Sequence, residues 1–189
     1  MEIIPCSEES MVRAADLLKN GGVVVIPTDT VYGLAAHPDH PEAVKRLYTI
    51  KGREEAKPIA LLAANKEAVM SFGAIMPKSA KDLADAHWPG ALTLVLECKN
   101  GTQEGFRVPH HTFTGRLLTL CGGVLRVTSA NLSGSHPATD VPQALAEIGV
   151  KADMILDDGI SPGGVPSSVV RVLPNGETDV LRQGAVEVK

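Results

Sequence analysis

The hydrophobic pattern changes most sharply at Val23-Val24-Val25-Ile26, four β-branched residues that follow Gly21-Gly22 and stop at Pro27. Such a run reads as a buried strand, and Pro27, with no N–H to give to a ladder, ends it. Thr28, Asp29 and Thr30 then fall at the strand's carboxyl end, where open α/β sheets hold their ligands.

The rest of the chain alternates helical and extended patterns. Ser7 caps a predicted helix with Met11, Ala14, Ala15 and Leu18 on one face. Pro41 suits a first turn, and Ala43, Val44, Leu47 and Tyr48 keep helical spacing up to Lys51-Gly52-Arg53. Residues 58–63 read as a strand, Asn65 as the cap of a short helix, and Pro77 as the start of another that carries Leu83 and Ala84 inward. Residues 91–98 read as a strand, 99–105 as a loop and 106–109 as a brief pairing. Phe113, Leu117, Leu118 and Cys121 repeat at helical spacing, and residues 124–128 form a strand that runs into Ser129-Ala130-Asn131. Asp140 or Thr139 caps a helix with Pro142 in its first turn, and residues 154–156 make a short strand. Residues 169–173 and 178–181 flank Pro174-Asn175-Gly176-Glu177, a hairpin signal. This alternation predicts an α/β chain of the α+β type, a mixed sheet flanked by helices.

Composition narrows the class. A chain of 189 residues with 44% hydrophobic content buries a sizeable core, and residues 1–189 are expected to form a single domain. The net charge of −4 is unlike that of a general nucleic-acid binder. Cys6, Cys98 and Cys121 lack close Cys or His partners, so they read as reduced. No apolar run approaches a membrane span and the amino terminus lacks signal-peptide regions, which makes a cytoplasmic location the expectation. Neither glycine-loop phosphate motif is present, and His37, His40, His110 and His111 do not match a metal-ligand spacing.

What remains is a set of polar groups at element ends. Lys51, Arg53, Lys57, Arg107 and Arg182 supply positive charge, and Thr30, Ser129, Asn131, Thr139, Ser167 and Ser168 supply short donors and acceptors. Cations and hydroxyls beside apolar strands suit a triphosphate site that has no glycine loop.

Taken in order, residues 27–34, Lys51-Gly52-Arg53 with Lys57-Pro58, Pro89-Gly90 with Thr93, residues 107–111, residues 129–134, Ser167-Ser168-Val169-Val170 and Arg182-Gln183-Gly184 resemble the YrdC family across almost the whole chain. The resemblance implies a YrdC/RibB-like twisted mixed sheet with an open concave cleft. It also implies a nucleotidyltransferase that makes L-threonylcarbamoyladenylate and pyrophosphate from L-threonine, bicarbonate and ATP. Magnesium accompanies the ATP, and the product feeds a tRNA threonylcarbamoyl transferase complex that modifies tRNA next to the anticodon. The length matches the compact type of the family.

By position, the resemblance places Thr30, Tyr32, Arg107 and Ser129 against threonine. Lys51, Arg53, Lys57, Asn131, Thr139, Ser167 or Ser168, and Arg182 fall against the nucleotide, with Lys51 and Arg53 as the catalytic pair. Arg107 is expected to grip the threonine carboxylate, and the Asn131 amide to read adenine or ribose edges. Leu62 stands where longer members carry a threonine-contacting His. Asp29 is weighed as a base against a turn-forming or metal- and water-binding role. Two rival functions follow from the same residues: a paralogue that handles another carbamoyl-adenylate, and a double-stranded RNA or tRNA-binding module.

Overall fold

The computed structural model describes residues 1–148 and 151–188. From the amino end it runs β1 (Glu2–Pro5), α1 (Glu8–Lys19), β2 (Val23–Ile26), β3 (Gly33–Ala36), α2 (Pro41–Lys51) and β4 (Leu61–Ala63). It continues with α3 (Lys66–Phe72), α4 (Lys78–His87), β5 (Leu92–Glu97), β6 (Gln103–Arg107), α5 (Thr112–Leu120) and β7 (Val124–Ser129). The final elements are α6 (Val141–Ile148), β8 (Met154–Asp157), β9 (Ser168–Val172) and β10 (Thr178–Arg182).

Local chemistry sets most boundaries. The Ser7 side chain accepts from the Ser10 amide at 3.1 Å while the Ser10 hydroxyl accepts from the Ser7 amide at 2.8 Å, a reciprocal cap for α1. Asn65 Oδ1 accepts from the Ala68 amide at 2.8 Å and opens α3. Asp140, not Thr139, caps α6, because its carboxylate accepts from the Gln143 amide at 2.8 Å.

The strands form a ten-stranded mixed sheet in the order β1-β8-β2-β3-β7-β4-β6-β5-β9-β10. Side chains alternate between its faces, so Val23 and Val25 point one way, Val24 and Ile26 the other. One face is covered along its length. On it α2 and α6 pack on β2, β3 and β8, while α3 and α4 pack on β4, β5, β6 and β9. The opposite face is covered only at one half, where α1 and α5 bring Met11, Leu18, Leu117 and Leu118 against Val24, Ile26, Leu62 and Leu125. The other half of that face, floored by β6, β5, β9 and β10, is a concave cleft.

Two strands are absent from the expected elements, and two expected boundaries change. Residues 2–5 are a strand, paired in parallel with β8 as an edge whose exposure hides its pattern. Residues 33–36 are a strand although Gly33, Ala35 and Ala36 are poor strand formers; pairing between β2 and β7 on either side overrides propensity. The loop expected at 99–105 gives way to β6 from Gln103, which leaves a tight connection back from β5. Residues 58–60, expected in β4, precede it as irregular chain held from beside the sheet.

Candidate active site

The β2–β3 connection, residues 27–32, is the inner wall of the cleft, and its conformation follows from hydroxyl chemistry. Thr28 Oγ1 donates to Val31 O at 2.7 Å and accepts from the Thr30 amide at 3.1 Å, closing the turn that Pro27 starts. Neighbouring elements clamp that turn from outside. The Thr114 hydroxyl of α5 donates to Pro27 O at 2.6 Å, and the Gly164 amide donates to Thr30 O at 2.8 Å. The strap that carries Gly164 lies so close that a side chain at Gly163 would put its Cβ 2.5 Å from Asp29 O.

Arg107 ends β6 beside this turn and is 6% exposed. Its Nε donates to Gly90 O at 3.0 Å, one terminal nitrogen to Thr30 Oγ1 at 2.9 Å, and the other to the Asp29 carboxylate. Burial pulls Arg107 below the usual guanidinium range while the Asp29 charge pulls it back up. Of its five N–H groups three are engaged, leaving one on each terminal nitrogen. Asp29 is therefore the counter-ion of Arg107, and the reading of Asp29 as a base does not fit.

The sheet register extends the site outward. Leu62 pairs with Arg107, Thr93 and Arg107 flank the terminal Leu94–Phe106 pair, Thr93 pairs with Val169, and Val169 with Arg182. Residues from five strands thus line up as one rung. Thr93 and Ser167 share a hydroxyl–hydroxyl contact of 2.8 Å, and Arg182 donates to Ser167 O at 3.1 and 2.7 Å. One step out, Gly105, Val95, Arg171 and Asp179 form a second rung. A Cβ at Gly105 would stand 3.2 Å from Ala60 Cβ and 3.5 Å from Thr93 Cγ2, so glycine keeps the floor open there.

The cleft encloses about 630 Å³, and its wall includes Thr28, Thr30, Arg53, Arg107, Ser129, Asn131, Ser167 and Arg182. Four arginines line it, Arg53, Arg107, Arg171 and Arg182, and the charges of Arg53, Arg107 and Arg182 act on one another. Burial and then the charge of Arg53 lower Arg182, and the charge of Arg182 in turn lowers Arg107. No carboxylate lines the wall among the described residues. Such a cavity is built to hold an anion.

Other residues singled out in the sequence have their polar groups committed to the fold. Lys51 is 3% exposed and turned beneath the wall, where its ammonium donates to Ser129 O at 2.5 Å and Asn131 O at 2.6 Å. Burial, then the nearby Arg53 charge, lowers it to about 8. It holds the segment that presents Ser129 and does not reach along the cleft. Both amide protons of Asn131 go to its own loop, to Leu132 O and Ser135 O at 2.8 Å each, so they are not free to read a base edge. Tyr32 packs its ring in the core, donates its hydroxyl to Gly159 O at 2.7 Å and accepts from the Asp158 amide at 3.1 Å; burial pushes the phenol up to about 12. Its hydroxyl braces the strap instead of facing the cleft.

Lys57 is exposed and paired with Glu54 at 3.3 Å, and the Thr139 hydroxyl faces Gln143 at 3.2 Å; both lie off the wall. Ser167 and Ser168, left unseparated by the sequence, divide cleanly. Ser167 lines the cleft, whereas Ser168 is fully buried and donates to Val186 O to dock the tail. Gln103, Gly105 and Arg171 line the wall and were missed. The two-residue spacing of Gln103, Gly105 and Arg107 was the available signal, masked by reading 99–105 as a loop.

The profile of the Sua5–YciO–YrdC family, described as telomere recombination, matches residues 16–184. The chain belongs to that family. Among its members, the threonylcarbamoyl-AMP synthase of Halorhodospira halophila is 34% identical over 153 residues, covering 76% of this chain and 80% of that protein. The threonylcarbamoyl-AMP synthase of Bacillus subtilis is 32% identical over 174 residues, and the chain spans 50% of its length. A crystal structure of Pyrococcus abyssi Sua5 complexed with L-threonine superposes with a TM-score of 0.88 at 30% identity, covering 97% of this chain and 57% of that one. Escherichia coli YciO, 24% identical with a TM-score of 0.87, shares the fold. The mixed sheet flanked by helices expected from the sequence is thus the fold of this family.

Proposed function

We infer that the chain is an L-threonylcarbamoyladenylate synthase, a nucleotidyltransferase that joins L-threonine, bicarbonate and ATP and releases pyrophosphate. The observation that carries this reading is the convergence of Arg53, Arg107 and Arg182 on one cleft whose wall holds hydroxyls and no carboxylate among the described residues. The names of the relatives and the threonine complex of the Pyrococcus protein support it.

Threonine sits at the inner end. The two unengaged protons of Arg107 face its carboxylate, and the Thr30 and Ser129 hydroxyls its remaining polar groups. ATP lies toward the rim, with Arg53 and Arg182 on the phosphates. Magnesium would accompany the nucleotide and offset part of the phosphate charge, and the wall, which has no carboxylate among the described residues, would leave its coordination largely to the nucleotide and water. The threonine amine attacks carbon dioxide and gives up a proton to solvent, or attacks bicarbonate with loss of water, to give a carbamate. A carbamate oxygen then attacks the α-phosphorus, the bond to the bridging oxygen breaks, and pyrophosphate leaves with the electron pair.

Arg53 and Arg182 offset the charge that grows on the departing oxygens, while Lys51 keeps the Ser129 segment in place. Leu62 on the floor gives the reacting carbamate an apolar, water-poor neighbour. Release of the adenylate to a tRNA threonylcarbamoyl transferase complex, direct contact with tRNA, and a cytoplasmic location complete the proposal. No helix among the described residues is long and apolar enough to cross a membrane.

Pyrophosphate release by the purified protein, measured with ATP, magnesium and bicarbonate, should require L-threonine and fall steeply in Arg53→Ala. Release that ignores threonine would reassign the cleft to another carbamoyl acceptor. RNA binding that survives excess ATP would favour the RNA-binding alternative.

A further inference from the structure

Arg126 is a partly buried arginine that the cleft does not use. It projects from β7 on the covered face, in register with Ala36 and Leu61, whose side chains belong to the two cores there. Its neighbours Val127 and Ser129 point the other way, into the cleft. The guanidinium grips Glu104 of β6 through both terminal nitrogens, at 2.6 and 2.7 Å, with the two side chains 18% and 15% exposed.

One of those nitrogens also donates to Ile59 O at 2.8 Å. Ile59 belongs to the irregular chain ahead of β4, where no ladder fixes the backbone, and Pro58, Ile59 and Ala60 all line the cleft. That segment is held to β7 by two bonds, this one and the Val127 amide to Ala60 O at 3.0 Å. Its preceding carbonyls in turn orient Arg53, whose Nε donates to Lys57 O at 2.9 Å and whose terminal nitrogen donates to Pro58 O at 3.2 Å.

We propose that Arg126 is a positioning residue for the nucleotide. Clamped by Glu104 behind the sheet, it fixes the Ile59 carbonyl, and through residues 57–59 it sets where the Arg53 guanidinium stands in the cleft. The inference rests on Arg53 meeting the ATP phosphates. It separates two roles that a buried ion pair confounds: Glu104 serves stability, whereas Arg126 also serves one substrate.

The test compares Arg126→Met, Arg126→Lys and Glu104→Gln by thermal unfolding, by binding of a fluorescent non-hydrolysable ATP analogue, and by separate KM values for ATP and threonine. Arg126→Met should weaken analogue binding and raise the ATP KM about tenfold while leaving the threonine KM within about twofold. Arg126→Lys keeps a charge for Glu104, but one ammonium cannot hold both carboxylate oxygens and the Ile59 carbonyl. It should therefore raise the ATP KM about threefold with little loss of melting temperature. Glu104→Gln should lower the melting temperature and change the ATP KM less than about twofold.

Parallel rises in both KM values, or Arg126 variants that melt early yet bind the analogue as wild type does, would overturn the proposal. So would an ATP KM in Glu104→Gln that rises as far as in Arg126→Lys. Wild-type protein that binds the analogue but releases no threonine-dependent pyrophosphate would refute the synthase reading, leaving the positioning role to be decided on binding alone. Wild-type protein that does not bind the analogue would refute both.

Discussion

Two arginines on the wall of one cleft are built on different principles. Arg107, at the inner end, is 6% exposed and has all three nitrogens engaged, by a carboxylate, a hydroxyl and a carbonyl. Arg53, toward the rim, is held among the described residues only by carbonyls of its own loop. The first is part of the fold and presents its remaining protons in a fixed direction; the second is a rim charge whose removal leaves no buried partner stranded. In the proposed synthase, recognition by Arg107 is thus inseparable from stability, and charge neutralisation by Arg53 is separable from it.

The largest effect that sharpens this contrast is expected at Arg107. In Arg107→Met the Asp29 carboxylate, 11% exposed, stays buried without its counter-ion, and unfolding in urea should reveal a loss of about 3–5 kcal/mol. Much of that loss should return in the double variant with Asp29→Asn. A loss below about 1 kcal/mol would place Arg107 in the same class as a surface pair.

Arg53→Ala should do the reverse. Its kcat/KM for ATP should fall about a hundredfold, near 3 kcal/mol in the barrier, with unfolding stability within about 0.5 kcal/mol of wild type. Tyr32→Phe probes the brace behind the inner wall. It removes a donor from Gly159 O and an acceptor from the Asp158 amide, and should lower stability by about 1–2 kcal/mol.

A pH-dependent test concerns Lys51, which lies beneath the wall. Its folded value is about 8 and its ordinary value 10.5, so between these pH values the unfolded chain holds the proton that the folded chain has released. Stability should therefore rise with pH across that window relative to Lys51→Met. Threonine affinity should fall over the same window as the Ser129 segment loses its charged anchor. Stability and affinity curves that move together would contradict the bracing role of Lys51.

Much of this architecture is legible in the sequence where one residue type has one physical reason to be there. Pro27 ends a strand because it has no N–H, and Ser7 and Asn65 cap helices because their oxygens accept orphan amides. The residues that converge on the cleft were identifiable by charge and by family likeness. Which way each side chain turns was not. Lys51, Tyr32 and Ser168 carry the same chemical groups as residues on the wall, yet neighbours distant in sequence turn them inward, and Asn131 spends its amide protons on its own loop. β3 escaped for a related reason: Gly33, Ala35 and Ala36 are extended by the strands on both sides, a tertiary cause that no local pattern contains.

The half-covered face of the sheet has a thermodynamic corollary. Helices shield Val24, Ile26 and Leu125, whereas Val95, Val127 and Val169, on strands of the same sheet, line an open cleft and meet water whenever it holds no ligand. A ligand that settles on this floor performs the desolvation that α1 and α5 complete elsewhere during folding. Association should therefore carry a negative heat-capacity change, so that its enthalpy grows more favourable as temperature rises, a signature of apolar burial in a site whose visible chemistry is ionic.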